Sequence, residues 1–146
     1  MAIDARYWRS AFQTGIERYI LLLIEALGTV KNAVQVGVVV NSKERDLFPA
    51  ASFPGLHLMS VATSRASLLT KSLEEFNPAL VHYPFNLPLR FDRPSVYTLH
   101  DPGRYVHPEV MVRRGREVDN ARLQDHLRNP LLRAVITVSN ASRADI

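Results

Sequence analysis

No cysteine occurs in the chain, so neither a disulfide framework nor a thiolate metal site is open to it, a composition that fits a reducing cytoplasm. The amino terminus, MAIDARYW, has no basic stretch followed by an apolar one and does not read as a secretory signal. The longest apolar run, Tyr19 to Ile24, is far too short to cross a bilayer. A G-x-G-x-x-G turn after a strand is missing as well, which removes the dinucleotide oxidoreductases. Lysine is scarce: three lysines stand beside fifteen arginines in a chain of net charge +4 and pI near 9.8. Arginine's planar fork suits bidentate phosphate recognition and equally suits a genome rich in arginine codons. The arginines are scattered apart from Arg113, Arg114 and Arg116, and with neither a basic stripe nor a recognition motif the chain does not read as a nucleic-acid binder.

What is present is one domain's worth of alternating strands and helices, long enough at 146 residues to bury about 68–70% of its unfolded surface. Ile16, Tyr19, Ile20, Leu23, Ile24 and Leu27 recur at helical spacing, with Gly28 where a C-terminal cap belongs. Thr14 and Glu17 have the T-x-x-E spacing of a capping box at its start. Val34 to Val40 is a continuous apolar, β-branched run, the kind of strand buried on both faces of a parallel sheet, and Asn41-Ser42 ends it. A looser strand at Leu56 to Val61 precedes a helix from Ser67 to Phe76 that buries Leu69, Leu73 and Phe76 before Pro78 blocks it. Ala79 to Tyr83 reads as a short strand, Pro84 and Pro88 break the chain, and a further strand ends at His100. Val112 to Leu132 reads as a long polar helix broken at Pro130, and Ala134 to Val138 as the last strand. Ser139 is then an N-cap whose helix is cut at Ile146, so the expectation is an amino-terminal piece, residues 1–146, of a longer protein. Strands separated by helices predict right-handed crossovers and an α/β class: a Rossmann-like parallel sheet with helices on both faces.

The segment PSVYTLHDPGRYVHPE, residues 94–109, carries most chemistry. An apolar run stops at His100-Asp101 and opens into a Pro/Gly loop, which places a titratable pair at a strand's mouth, where ligands collect in open α/β sheets. The plain alternative is a histidine that only hydrogen-bonds a neighbouring loop. His100, His107 and Glu109 lack the fixed helical spacing of a metal site, and no metal is expected.

Four segments in order, IDARYWRSAFQTGIERYILLLIEAL, ALVHYPFNLPL, SVYTLHDPGRYVHPE and AVITVSNASRADI, resemble the amino-terminal domain of group 1 glycosyltransferases, the retaining family 4 enzymes of GT-B fold. The resemblance spans nearly the whole chain. It implies two Rossmann-like domains facing across a cleft, of which this chain would be the acceptor side and a carboxy-terminal domain, absent here, would grip the nucleotide-sugar donor. It assigns Thr14 and Gly15 to a turn whose bare backbone admits the donor phosphates, a use that helix N-termini favour. The family often has Gly-Ile-Gly there, whereas TGIER puts Glu17 in the first turn. His100 matches the family histidine that points into the cleft near the transferred sugar and acceptor, and Asp101 would orient its imidazole or hold a loop. Ser139 and Asn140 match the hydroxyl and amides facing the interdomain crevice, with helix capping as the alternative. Glu17 and Glu25 have Glu-x7-Glu spacing, but that family motif belongs to the second domain and here brackets an apolar helix face.

The resemblance therefore implies transfer of a hexose from a nucleotide sugar to a glycan or lipid-linked acceptor, of the cell-surface polysaccharide type, with the fragment alone inactive. No DxD motif is present, in keeping with a metal-independent GT-B enzyme without cofactor. Arg113, Arg114 and Arg116 are the candidates for peripheral contact with the inner face of a membrane. The alternatives are a noncatalytic α/β binding or interaction module and, third, a metal-dependent phosphohydrolase read from the HD pair.

Overall fold

The computed structural model describes residues 1–11, 14–30, 35–62, 66–84, 92–107, 109 and 116–145. Six strands, β1 (Ala2–Ala5), β2 (Gly37–Asn41), β3 (His57–Val61), β4 (Val81–Tyr83), β5 (Ser95–Leu99) and β6 (Leu132–Thr137), form one sheet in the order β3-β2-β1-β4-β5-β6. Every pairing is parallel. The helices are α1 (Gly15–Thr29), α2 (Ala66–Phe76), α3 (Gly103–Val106), α4 (Arg116–Leu127) and α5 (Asn140–Ala144). Short 3₁₀ turns at Ser42–Leu47 and Ala50–Ser52 carry the chain from β2 towards β3. This is the expected Rossmann-like α/β architecture.

The pleat divides the apolar residues between two layers. Ile3 and Ala5 of β1 and Val38 and Val40 of β2 meet Ile20 and Ile24 of α1, with Trp8 and Phe48 edge-to-face at 5.0 Å. On the other face Ala2, Val39, Met59, Val81, Tyr83, Tyr97 and Leu99 meet Leu69 and Leu73 of α2 and Leu123 of α4. Adjacent residues of a strand thus serve opposite layers, which is why β2 reads as an unbroken apolar run. At the start of β2, a Cβ on Gly37 would lie 2.7 Å from the Phe76 ring and 2.8 Å from the Met59 methyl, so only glycine lets these side chains cross the strand.

Several boundaries differ from expectation. α1 runs through Gly28 to Thr29, so Gly28 lies in its last turn and Val30 is the cap. Val34 lies outside the described residues, and described β2 begins at Gly37. The helix expected from Val112 to Leu132 is described from Arg116 and ends at Leu127, and Leu132 already belongs to β6. The stop has a local cause: Pro130 has no N–H to donate, and the Asn129 side chain accepts from Leu131 N at 2.9 Å, turning the chain out of the helix. β6 accordingly starts at Leu132 rather than Ala134 and stops at Thr137, before Val138. The short helix α3 in the His-Asp loop was not read from the sequence.

Candidate active site

The chain order makes a switch point. From β1 it winds outwards to β2 and β3, then returns to the far side of β1 with β4, β5 and β6. The connections that leave β1 and β4 therefore run towards opposite edges of the sheet, and in sheets of this kind ligands are received at such a point. Thr14 and Gly15 lie beyond β1, Pro84 follows β4, His100 and Asp101 follow β5, and Ser139 and Asn140 follow β6. The topology brings all the sequence-predicted candidates in the described residues to this one end of the sheet. Of the arginine cluster, Arg113 and Arg114 lie outside the described residues, and Arg116 contributes only its place as the first residue of α4.

His100 is half-buried, and its Nε2 lies 2.8 Å from the carbonyl oxygen of Pro84. A carbonyl only accepts, so Nε2 carries the proton and donates, and Nδ1 is the ring nitrogen not engaged by Pro84. The bond ties the mouth of β5 to that of β4. Tyr19 of α1 packs edge-on to the His100 ring, with centroids 5.1 Å apart and planes at 84°. Beneath them lies a buried polar chain: the Tyr19 hydroxyl is 3.1 Å from Thr98 Oγ1, and His82 Nε2 is 2.7 Å from the same oxygen. Burial, and then the neighbouring His100, push the His82 pKa down to about 4, so its ring stays neutral near pH 7.

Asp101 does not reach the imidazole in its recorded bond. Its Oδ1 accepts from Gly103 N at 2.7 Å, closing a turn into α3, so of the two roles expected for it this geometry displays the loop-holding one. A Cβ on Gly103 would come within 2.8 Å of the same oxygen. The exposed His107 and Glu109 pair with each other, Nδ1 to Oε1 at 3.3 Å, while His100 bonds Pro84. Among the described residues no group of three or more His, Asp or Glu is gathered as a metal site.

At Thr14-Gly15 the capping box forms: the Glu17 carboxylate accepts from Thr14 N at 3.1 Å and from the Thr14 hydroxyl. Gly15 is exposed, and a Cβ there would meet nothing within 4 Å. The helix end is thus open to approach, but the buried Glu17 already supplies negative charge to its first turn. Ser139 Oγ accepts from Ser142 N at 3.0 Å and lies 3.0 Å from Ser142 Oγ, which makes it the cap of α5; Asn140, exposed, is that helix's first residue.

The sequence reading missed a second buried cluster at the end of β1. Asp4 and Arg6, 3% and 2% exposed, form a two-point ion pair, Nε to Oδ1 at 2.7 Å and a terminal nitrogen to Oδ2 at 2.8 Å. Burial alone would lower the Arg6 pKa, but the hydrogen bond and charge of Asp4 outweigh it and raise it. Beside them, burial and then Asp4 push the Tyr83 hydroxyl up. The loop after β1 is further pinned by Ser10, whose N and Oγ both donate to Glu44 Oε2, at 3.1 and 2.9 Å. The backbone bond from Ser10 is the main reason the Glu44 pKa is lowered. The available signal was a polar residue inside an apolar strand: Asp4 in AIDA, His82 in VHY and Thr98 in SVYTL.

No described helix is long and apolar enough to cross a membrane. No curated protein and no solved structure matches the chain. The model of Glycosyltransferase Family 4 matches residues 13–146. That match takes in every element from α1 to α5, and the sheet has the Rossmann-like form the resemblance implied, so the chain belongs to glycosyltransferase family 4.

Proposed function

We propose that this chain is the acceptor-side domain of a retaining glycosyltransferase that moves a hexose from a nucleotide sugar to a glycan or lipid-linked acceptor, in the manner of cell-surface polysaccharide synthesis. A carboxy-terminal domain holds the donor across the cleft, and the chain alone does not turn over. The observation that carries this reading is His100 at the mouth of β5, next to the switch point, with Nε2 committed to the Pro84 carbonyl. In this role His100 offers a fixed hydrogen-bonding atom to the transferred sugar and the incoming acceptor hydroxyl. Rate enhancement rests on holding both substrates in line and on stabilising an oxocarbenium-like sugar and a departing nucleotide phosphate. The reaction proceeds without a metal, and the enzyme works in the cytoplasm, with Arg113, Arg114 and Arg116 available for peripheral contact with an anionic membrane.

The test is His100→Ala in the enzyme that carries this chain, assayed with its own donor and acceptor. Transfer should fall about a hundredfold while circular dichroism and melting stay those of a folded protein. A transfer rate near that of the parent would show that His100 does not have this role, whereas a parent protein that transfers no sugar from any nucleotide sugar would favour the noncatalytic α/β binding module.

A further inference from the structure

We propose that Tyr19 is a positioning residue for His100, with Thr98 and His82 as the buried support that holds Tyr19 in place. The inference rests on the reading of His100 as a cleft residue. Its starting point is a cost. Thr98 is fully buried and His82 is 2% exposed, and both lie in strands where valine or isoleucine would pack without needing a partner. Placing a hydroxyl and an imidazole there is stable only if they satisfy each other, which they do at 2.7 Å.

The remaining capacity of the Thr98 hydroxyl goes to the Tyr19 hydroxyl at 3.1 Å. Either direction of proton donation satisfies the chain: Tyr19 to Thr98 to His82, or the reverse. Tyr19 belongs to α1, whose neighbouring buried residues Ile20 and Ile24 are apolar, so its hydroxyl is the helix's polar tether to β5. That tether holds the phenol oxygen in place and so keeps the ring beside His100, where it stands edge-on.

His100 then has two independent restraints, the Pro84 carbonyl on Nε2 and the Tyr19 ring beside it, and together they define both the ring plane and the position of the proton. Burial keeps the His82 ring neutral near pH 7, so the hydrogen-bonded chain beneath Tyr19 holds no unpaired buried charge. The cluster draws on α1, β4 and β5, so the packing of α1 on the sheet is what aims the histidine at the crevice.

Nitrogen-15 spectra of the intact chain can follow the His100 Nε2 proton directly. Held by Pro84 behind the Tyr19 ring, this proton should exchange slowly with water. Tyr19→Leu removes the ring and should speed the exchange about tenfold. Tyr19→Phe keeps the ring, loses the tether to Thr98, and should give an intermediate rate; as the milder change it decides the matter should the leucine variant not fold. In the transferase itself, Tyr19→Phe should lower kcat about fivefold and leave the donor KM unchanged, a split that general destabilisation would not produce. An unaltered His100 proton in folded Tyr19→Phe would overturn the proposal. The exchange is read without substrate, so an unchanged transfer rate in His100→Ala would sink the role of His100 in transfer, and an unaltered proton the positioning role of Tyr19.

Discussion

Two buried histidines face opposite layers of the same sheet, and they are built differently. His82, between Val81 and Tyr83 of the opposite layer and so on the α1 side, has its Nε2 bonded to Thr98. His126, on α4, is 6% exposed and sits edge-on between Tyr83 and Tyr97, with ring centroids 5.6 and 5.5 Å away. Among the described residues its Nε2 is buried without a hydrogen-bond partner, as is the Tyr83 hydroxyl. The first histidine is part of a satisfied polar chain; the second fills space between aromatic rings. A buried imidazole therefore tells little by itself, and what it bonds separates an orienting group from a packing one.

Acid should act on both histidines in the same direction, and His82 provides the largest effect. Burial lowers its folded-state pKa from 6.5 to about 4, so the unfolded chain binds a proton more readily. The stability this represents is complete above pH 6.5 and is lost as pH falls towards 4, amounting to about 3 kcal/mol. Burial likewise lowers the pKa of His126, against a smaller opposing effect of Asp125, and adds to the same loss. Urea unfolding over that pH range should show the decline, and a His82→Leu variant should show a shallower one. Equal slopes in parent and variant would mean that His82 is not desolvated as described.

A smaller effect should separate the two sites near pH 7. Thr98→Val preserves shape but leaves His82 Nε2 and the Tyr19 hydroxyl without their shared partner, at a cost of about 2 kcal/mol in urea unfolding. The smallest effect belongs to His126→Leu, which removes a buried imidazole whose Nε2 has no partner among the described residues. Its unfolding midpoint should shift by less than about 1 kcal/mol, in either direction. A loss at His126 as large as that at Thr98 would erase the distinction between them.

The α/β class was legible because each kind of element leaves its own periodicity. The apolar positions of α1 from Ile16 to Leu27 and the run up to Val40 needed no partner to be recognised. The T-x-x-E cap at Thr14 and Glu17 was equally readable, since its partners lie within one turn. The break after α4 was less so. A polar helix docked on the sheet by Leu123, His126 and Leu127 carries little apolar pattern, and its end was set by an Asn129 side-chain bond that composition does not display. At the site, the His-Asp pair stood out, but only the geometry gave Asp101 to Gly103 and His100 to Pro84. Tyr19 was read as part of an apolar helix face, which it is for most of its ring. Its hydroxyl's partner lies 79 residues away.

The sequence by itself determined that this chain folds as alternating strands and helices, that α1 and α5 start at caps on Thr14 and Ser139, and that a histidine follows the strand ending at Leu99. These properties follow from neighbours within a few residues, where backbone preference and apolar period act. The tertiary structure alone decided that β4 returns beside β1, which makes the switch point, and that Tyr19, His82, Thr98 and His100 meet next to it. Partners so distant in sequence meet only because burying the two apolar layers aligns the strands that carry them, and no local preference encodes that alignment.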